Sequence, residues 1–128
     1  MADDSDKTGP AGDADQPDPA DRVLEELAEL EPELRAAAII GADNTTRAVR
    51  SDDPGWGDDA IALLRAVDSA GDRTVDSAHI ATEQAEVFVV REGELSLVAV
   101  TGRFVLASLT GFDMRMSLRD LAAEVGGA

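Results

Sequence analysis

The sequence predicts an α+β fold, in which five strands joined by antiparallel hairpins are covered by helices, in the order helix, two strands, helix, three strands, helix. Two observations predict it. Apolar residues recur at helical spacing in three segments, and between them lie short apolar or alternating runs of strand length, punctuated by turn residues. The 128 residues hold one domain of about 100 residues with a two-layer core, plus a tail.

Segment 1–17 is mainly Asp, Gly, Pro, Ala, Ser and Thr with almost no large apolar side chain, so a disordered acidic tail is expected ahead of a folded domain over 18–125. Asp18-Pro19-Ala20-Asp21 starts a helix: Asp18 accepts an N–H bond at the N-cap, Pro19 takes the first helical position and Asp21 suits the dipole. Val23, Leu24, Leu27 and Leu30 form its apolar stripe, and Pro32 stops it near Leu30 or Glu31. The run from Ala36 to Ala42 is apolar throughout and short for a helix, which predicts a strand covered on both faces. Asp43-Asn44 turns the chain, and Thr45 to Arg50 returns as a strand, Thr46, Ala48 and Arg50 alternating against Thr45, Arg47 and Val49, whose two Arg suggest an edge strand exposed on one face.

After a loop over 51–55, Ala60, Leu63, Leu64 and Val67 share one face of a middle helix that runs from about Gly57 until Gly71 ends it. The small residues Ala62 and Ala66 admit close approach by another helix. Strands are expected over 77–82, 86–91 and 95–101, with Arg91-Glu92-Gly93-Glu94 as a hairpin turn. The second and third of these are apolar on both faces and so belong in the middle of a sheet. In the last helix, over 104–124, Val105, Leu109, Phe112 and Met116 run beside Met114, Leu118, Leu121 and Val125, which predicts one broad apolar face; Thr110-Gly111 delays or bends its start.

Composition removes several function classes. The formal charge is −16, and segment 1–21 has seven acids against Lys7 while the remainder has twenty against ten Arg, so the folded part is acidic in its own right. Such a surface repels phosphate backbones and anionic membranes, and no nucleic-acid or membrane partner is expected. No apolar run approaches the roughly 18 to 20 residues that cross a bilayer, and Met1-Ala2-Asp3-Asp4 is acidic where a secretory signal is basic, so a cytoplasmic protein is expected. With no Cys and one His, His79, neither a disulfide framework nor a multi-histidine metal centre is available.

The element order, with Leu27-Ala28-Glu29-Leu30, the run Ala36 to Ala42 with its Asp43-Asn44 turn, Trp56 to Leu64, the strand pair Glu86 to Thr101 and Gly111-Phe112-Asp113-Met114-Arg115, resembles the roadblock (dynein light-chain) family, in its prokaryotic small-GTPase-associated form. The resemblance spans roughly 21–124. Asp43-Asn44-Thr45 departs from the more usual Asp-Gly at the first turn. The resemblance implies a five-stranded antiparallel sheet between the middle helix on one face and the N- and C-terminal helices on the other, a roadblock/profilin-like sandwich. It also implies a homodimer in which the edge strand after the middle helix pairs with its twin, here through Ser77, His79, Ile80, Ala81 and Thr82, so that a proline at Ile80 abolishes pairing. Prokaryotic members commonly partner Ras-like small GTPases.

Other readings of single residues compete with blander ones. His79 is a pH-sensitive dimer contact or a partly exposed strand histidine. Asp76, Glu83 and Glu86 are cation ligands or solvated charge, without the dense, Gly-turned loop of a calcium site. Asp52, Asp53, Asp58 and Asp59, four acids across a short stretch, are the better cation candidate, against helix-start charge and solvation. Arg65 and Arg50 are arginine fingers or solubilising cations. Trp56 anchors an interface or staples the helix entrance to the core. No P-loop or nucleophile elbow surrounds a Ser, Ser108 and Ser117 included. No catalytic residue, metal or cofactor is therefore expected. The function expected is a homodimeric regulator or scaffold of a Ras-like GTPase, bound through Asp58, Asp59, Ala62, Arg65, Ala66 and Ser69 on the middle helix. The alternative is a sensory or small-ligand-binding module.

Overall fold

A computed structural model of the chain describes residues 18–70 and 76–126. The expected tail over 1–17 and Gly71, expected to end the middle helix, lie outside them. Helix α1 is Pro19–Leu30, and its start follows from local chemistry: Asp18 Oδ1 accepts from the Ala20 N–H at 2.8 Å, with Pro19 behind it. Strands β1 (Leu34–Ile40) and β2 (Thr46–Arg50) form a hairpin. Asp43 and Asn44 both take left-handed backbone, φ 61° and 58°, as residues that bond their own backbone tolerate.

Helix α2 is Trp56–Ala70, followed by β3 (Ser77–Ala81), β4 (Glu86–Glu92), β5 (Leu95–Thr101) and α3 (Ala107–Gly126). The five strands form one antiparallel sheet in the order β2-β1-β5-β4-β3. Gly93, at φ 59°, supplies the left-handed corner between β4 and β5. The three interior strands are those whose sequences are apolar on both faces, because each is covered twice. Ala36, Ala38, Ile40, Val89 and Val98 meet Trp56, Ala60, Leu64 and Val67 of α2, while Ala37, Ile39, Phe88, Val90, Leu97 and Ala99 meet α1 and α3 on the other face. The sheet is thus sandwiched as the resemblance implies.

Three expectations need correction. The first strand starts and stops earlier than 36–42, since Gly41 already leaves the ladder to accept the turn, its N–H bonding Thr45 O at 2.7 Å. Thr82 falls beyond β3: its hydroxyl accepts from the Ala85 and Gln84 N–H groups and builds the turn to β4. The last helix begins at Ala107, not 104, and buries only Met114, Leu118 and Leu121 with Thr110; Leu109 and Phe112 stay more than half exposed, at 51% and 58%. One stripe suffices to cover the sheet beside α1, so Leu109 and Phe112 of the second meet no surface among the described residues. Among the described residues no helix is long and apolar enough to cross a membrane.

Candidate interaction surfaces

Edge strand β3 is exposed almost from end to end, with Ile80 at 43%. Its hydrogen bonds with β4 begin at Asp76, whose carbonyl accepts from the Arg91 N–H at 2.9 Å, and end at Thr82, whose N–H donates to Ala85 O at 2.8 Å. In an antiparallel ladder, bonded and non-bonded pairs alternate. Ala78↔Val89 and Ile80↔Val87 are therefore the bonded pairs between them. The backbone groups of Ser77, His79 and Ala81 consequently point away from the sheet. A proline at Ile80 would thus break the protomer's own ladder; His79 and Ala81 are the positions where it removes an outward N–H.

The His79 ring stacks on Phe88, centroids 4.5 Å apart, and its Nε2 lies 2.7 Å from Glu86 Oε1. The other Glu86 oxygen accepts from the Phe104 N–H at 2.7 Å. His79 first, and then that N–H, hold the Glu86 carboxyl below the usual carboxylate range. One carboxylate so ties the edge strand to the loop before α3, where Phe104 takes left-handed backbone (φ 68°), a rare state for a bulky residue.

On α2, Asp58, Asp59, Ala62, Arg65, Ala66 and Ser69 are all exposed, and the spacing of 58, 62, 65, 66 and 69 sets them along one outward stripe. Asp68 anchors the helix through a two-pronged contact with Arg91 on β4, at 2.8 and 2.7 Å. Arg91 also donates to Ser96 Oγ at 3.1 Å. Sequence reading placed Arg91 at the end of a strand and the start of a turn, and no local signal marks a pairing across 23 residues. Arg50 turns to α1 and pairs with Glu25 at 2.6 Å, so it shares no face with Arg65. Trp56 is 6% exposed inside the α2-side core, which makes it the helix staple; its indole Nε1 has no hydrogen-bond partner among the described residues.

A second site escaped the sequence altogether. Glu31, at the end of α1, is buried and accepts from Thr110 Oγ1 at 2.8 Å. Burial first, then a hydrogen bond with Asp113, pushes its carboxyl up to about 7. Among the described residues no three His, Asp or Glu side chains are grouped to hold a metal ion, so neither acidic cluster closes into a cage.

No family model and no curated protein matches the sequence. Solved structures do. The roadblock/LC7 domain from Streptomyces avermitilis superposes with a TM-score of 0.71 at 20% identity, covering 82% of this chain and 96% of that one. The gliding protein MglB from Thermus thermophilus gives 0.61 at 19%, covering 88% and 95%. Acanthamoeba castellanii profilin IB gives 0.56 at 16%, covering 84% and 99%. The chain has the roadblock/LC7 fold, within the wider profilin-like architecture.

Proposed function

We propose that two copies of the chain pair through β3 and together form a docking module for a Ras-like small GTPase. The observation that carries the dimer is the state of the β3 edge. An exposed, regular strand with unpaired outward N–H and C=O groups is a template for another strand. Pairing about a two-fold axis at His79 sets His79 of one copy opposite His79 of the other and Ser77 opposite Ala81, which engages all three outward residues at once. The ten-stranded sheet that results brings two α2 helices side by side, and Ala62 and Ala66 let them approach.

The GTPase part rests on the roadblock resemblance and on the likeness to MglB. Arg65 is the one cation among these six exposed α2 residues, set between Asp58 and Asp59 at the helix start and Ser69 near its end. For the ligand-sensor reading there are open surface clefts: one of about 510 Å³ sets Asp21, Glu25, Arg35, Arg50 and Asp52 around Leu24, Leu34 and Val49, and one of about 400 Å³ sets Arg47, Glu92 and Glu94 beside Leu95, Ala122 and Val125. Both are wide open and rimmed by charge, whereas small-molecule pockets bury most of their ligand.

The test is binding of a Ras-like GTPase from the same genome, loaded with GDP or a non-hydrolysable GTP analogue, to the wild type and to Arg65→Ala and His79→Pro. Retention that prefers one nucleotide and falls in both variants supports the reading. Binding by a stable His79→Pro monomer rejects the dimeric geometry, and no binding in either nucleotide state rejects the GTPase.

A further inference from the structure

The face opposite α2 carries an apolar surface, unpartnered among the described residues, where α1 ends against the first turns of α3. The contact from Thr110 to Glu31, at 2.8 Å, holds these ends together. Beside it Leu30, Leu109 and Phe112 are 56%, 51% and 58% exposed. Three large apolar side chains, clustered rather than scattered, are the kind of surface a soluble protein keeps for contact. Leu109 and Phe112 stand three apart on one helix, so they form a ridge along α3.

Charge identifies the occupant. Farther along the same seam Arg22 of α1 is matched by Glu124 of α3, at 2.8 and 2.9 Å. Glu26 and Glu29 on α1 and Asp113 and Asp120 on α3 then leave an excess of negative charge; Asp113 faces α1 through its bond with Glu31, and Asp120 lies two turns on. On the opposite flank of the ridge are Arg115, toward β3, and Arg119, 3.6 Å from Glu92 at the end of β4. A second copy on the seam would set acid against acid, and an anionic bilayer is repelled likewise. We propose that the α1–α3 seam docks a basic amphipathic helix of a partner protein, its apolar side chains seated on Leu30, Leu109 and Phe112 and its Lys or Arg residues against the acidic stretch. The module then holds two partners on opposite faces of one sheet.

The probe is a labelled helical peptide of Leu and Lys, with Leu at positions i, i+3, i+4 and i+7, titrated with the full chain; a scrambled peptide of identical composition is the control. The wild type binds the amphipathic peptide at least tenfold tighter than the scrambled one. Leu109→Ser/Phe112→Ser, at exposed positions and with unchanged circular dichroism and melting temperature, loses at least tenfold. His79→Pro binds the peptide as the wild type does, which separates this seam from the β3 dimer. Equal binding of both peptides, an unaffected double variant or no binding overturns the proposal. So does sedimentation showing self-association that the double variant abolishes, since the face would then belong to a second copy.

Discussion

The two edges of this sheet are built from opposite chemistry. On β2, Arg47 and Arg50 flank the strand, Arg50 reaches Glu25 at 2.6 Å, and the register with β1 shifts between Ile39 and Ile40. Charge and irregularity are the devices that keep an edge from adding another strand. Strand β3 reads Ser77-Ala78-His79-Ile80-Ala81, with no formal charge, proline or register shift along its pairing with β4. One sheet thus ends in a blunted strand and an open one. The difference supports β3 as the edge through which the proposed dimer pairs.

His79→Pro tests that difference with the largest effect. It removes one outward N–H from each copy, and two lost hydrogen bonds at about 1 kcal/mol each, with unmatched acceptors left behind, weaken the dimer by about a hundredfold. Sedimentation equilibrium reads this, and a melting temperature near wild type shows that the protomer still folds. His79→Lys gives β3 the chemistry of β2. Like charges facing each other across the axis cost up to about 1 kcal/mol, a weakening of up to about fivefold in the same measurement that 0.5 M salt partly restores.

Acid has a smaller effect, confined to the β3 side. Because the folded Glu86 carboxyl titrates below its ordinary 4.5, its contribution to stability is present above that value and is lost as pH falls through the lowered one. Hydrogen exchange by mass spectrometry on β3 and the loop at Phe104 should accelerate there relative to β2, and Glu86→Gln should remove the difference. Least of all should follow from Arg50→Ala. Its partner side chain is 69% exposed, so the loss is about 0–1 kcal/mol by denaturant unfolding, with no change in oligomeric state.

The strands and their order were legible because burial writes itself into composition. A strand covered twice, such as β5 with Leu97-Val98-Ala99-Val100, has no polar alternation, and an edge strand such as β2 does. Cap chemistry at Asp18-Pro19 and the turn at Asp43-Asn44 were equally local and equally readable. Contacts between distant charges were not: nothing near Arg91 announces Asp68, and nothing near Glu31 announces Thr110 or Asp113. The α3 boundary failed for a related reason. Periodicity reports which positions are apolar, but whether an apolar stripe is buried depends on which surface lies across from it, and the neighbour of Leu109 and Phe112 is not part of this chain's core. The outward stripe of α2 could be named from sequence, while the direction of each backbone N–H on β3 required the register with β4.

Register is also what the most direct measurement reads. The chain has no Cys, so a single His79→Cys places one thiol in each copy at the proposed two-fold axis, where opposed Cα atoms about 5.5 Å apart suit a disulfide. In Ala81→Cys the thiols stand about four residues off register, roughly 13 Å apart, beyond disulfide reach. Under mild oxidation at micromolar concentration the account predicts a covalent dimer from His79→Cys and little from Ala81→Cys. Equal cross-linking of both variants, or none from His79→Cys in a protein that sediments as a dimer, would contradict pairing through β3.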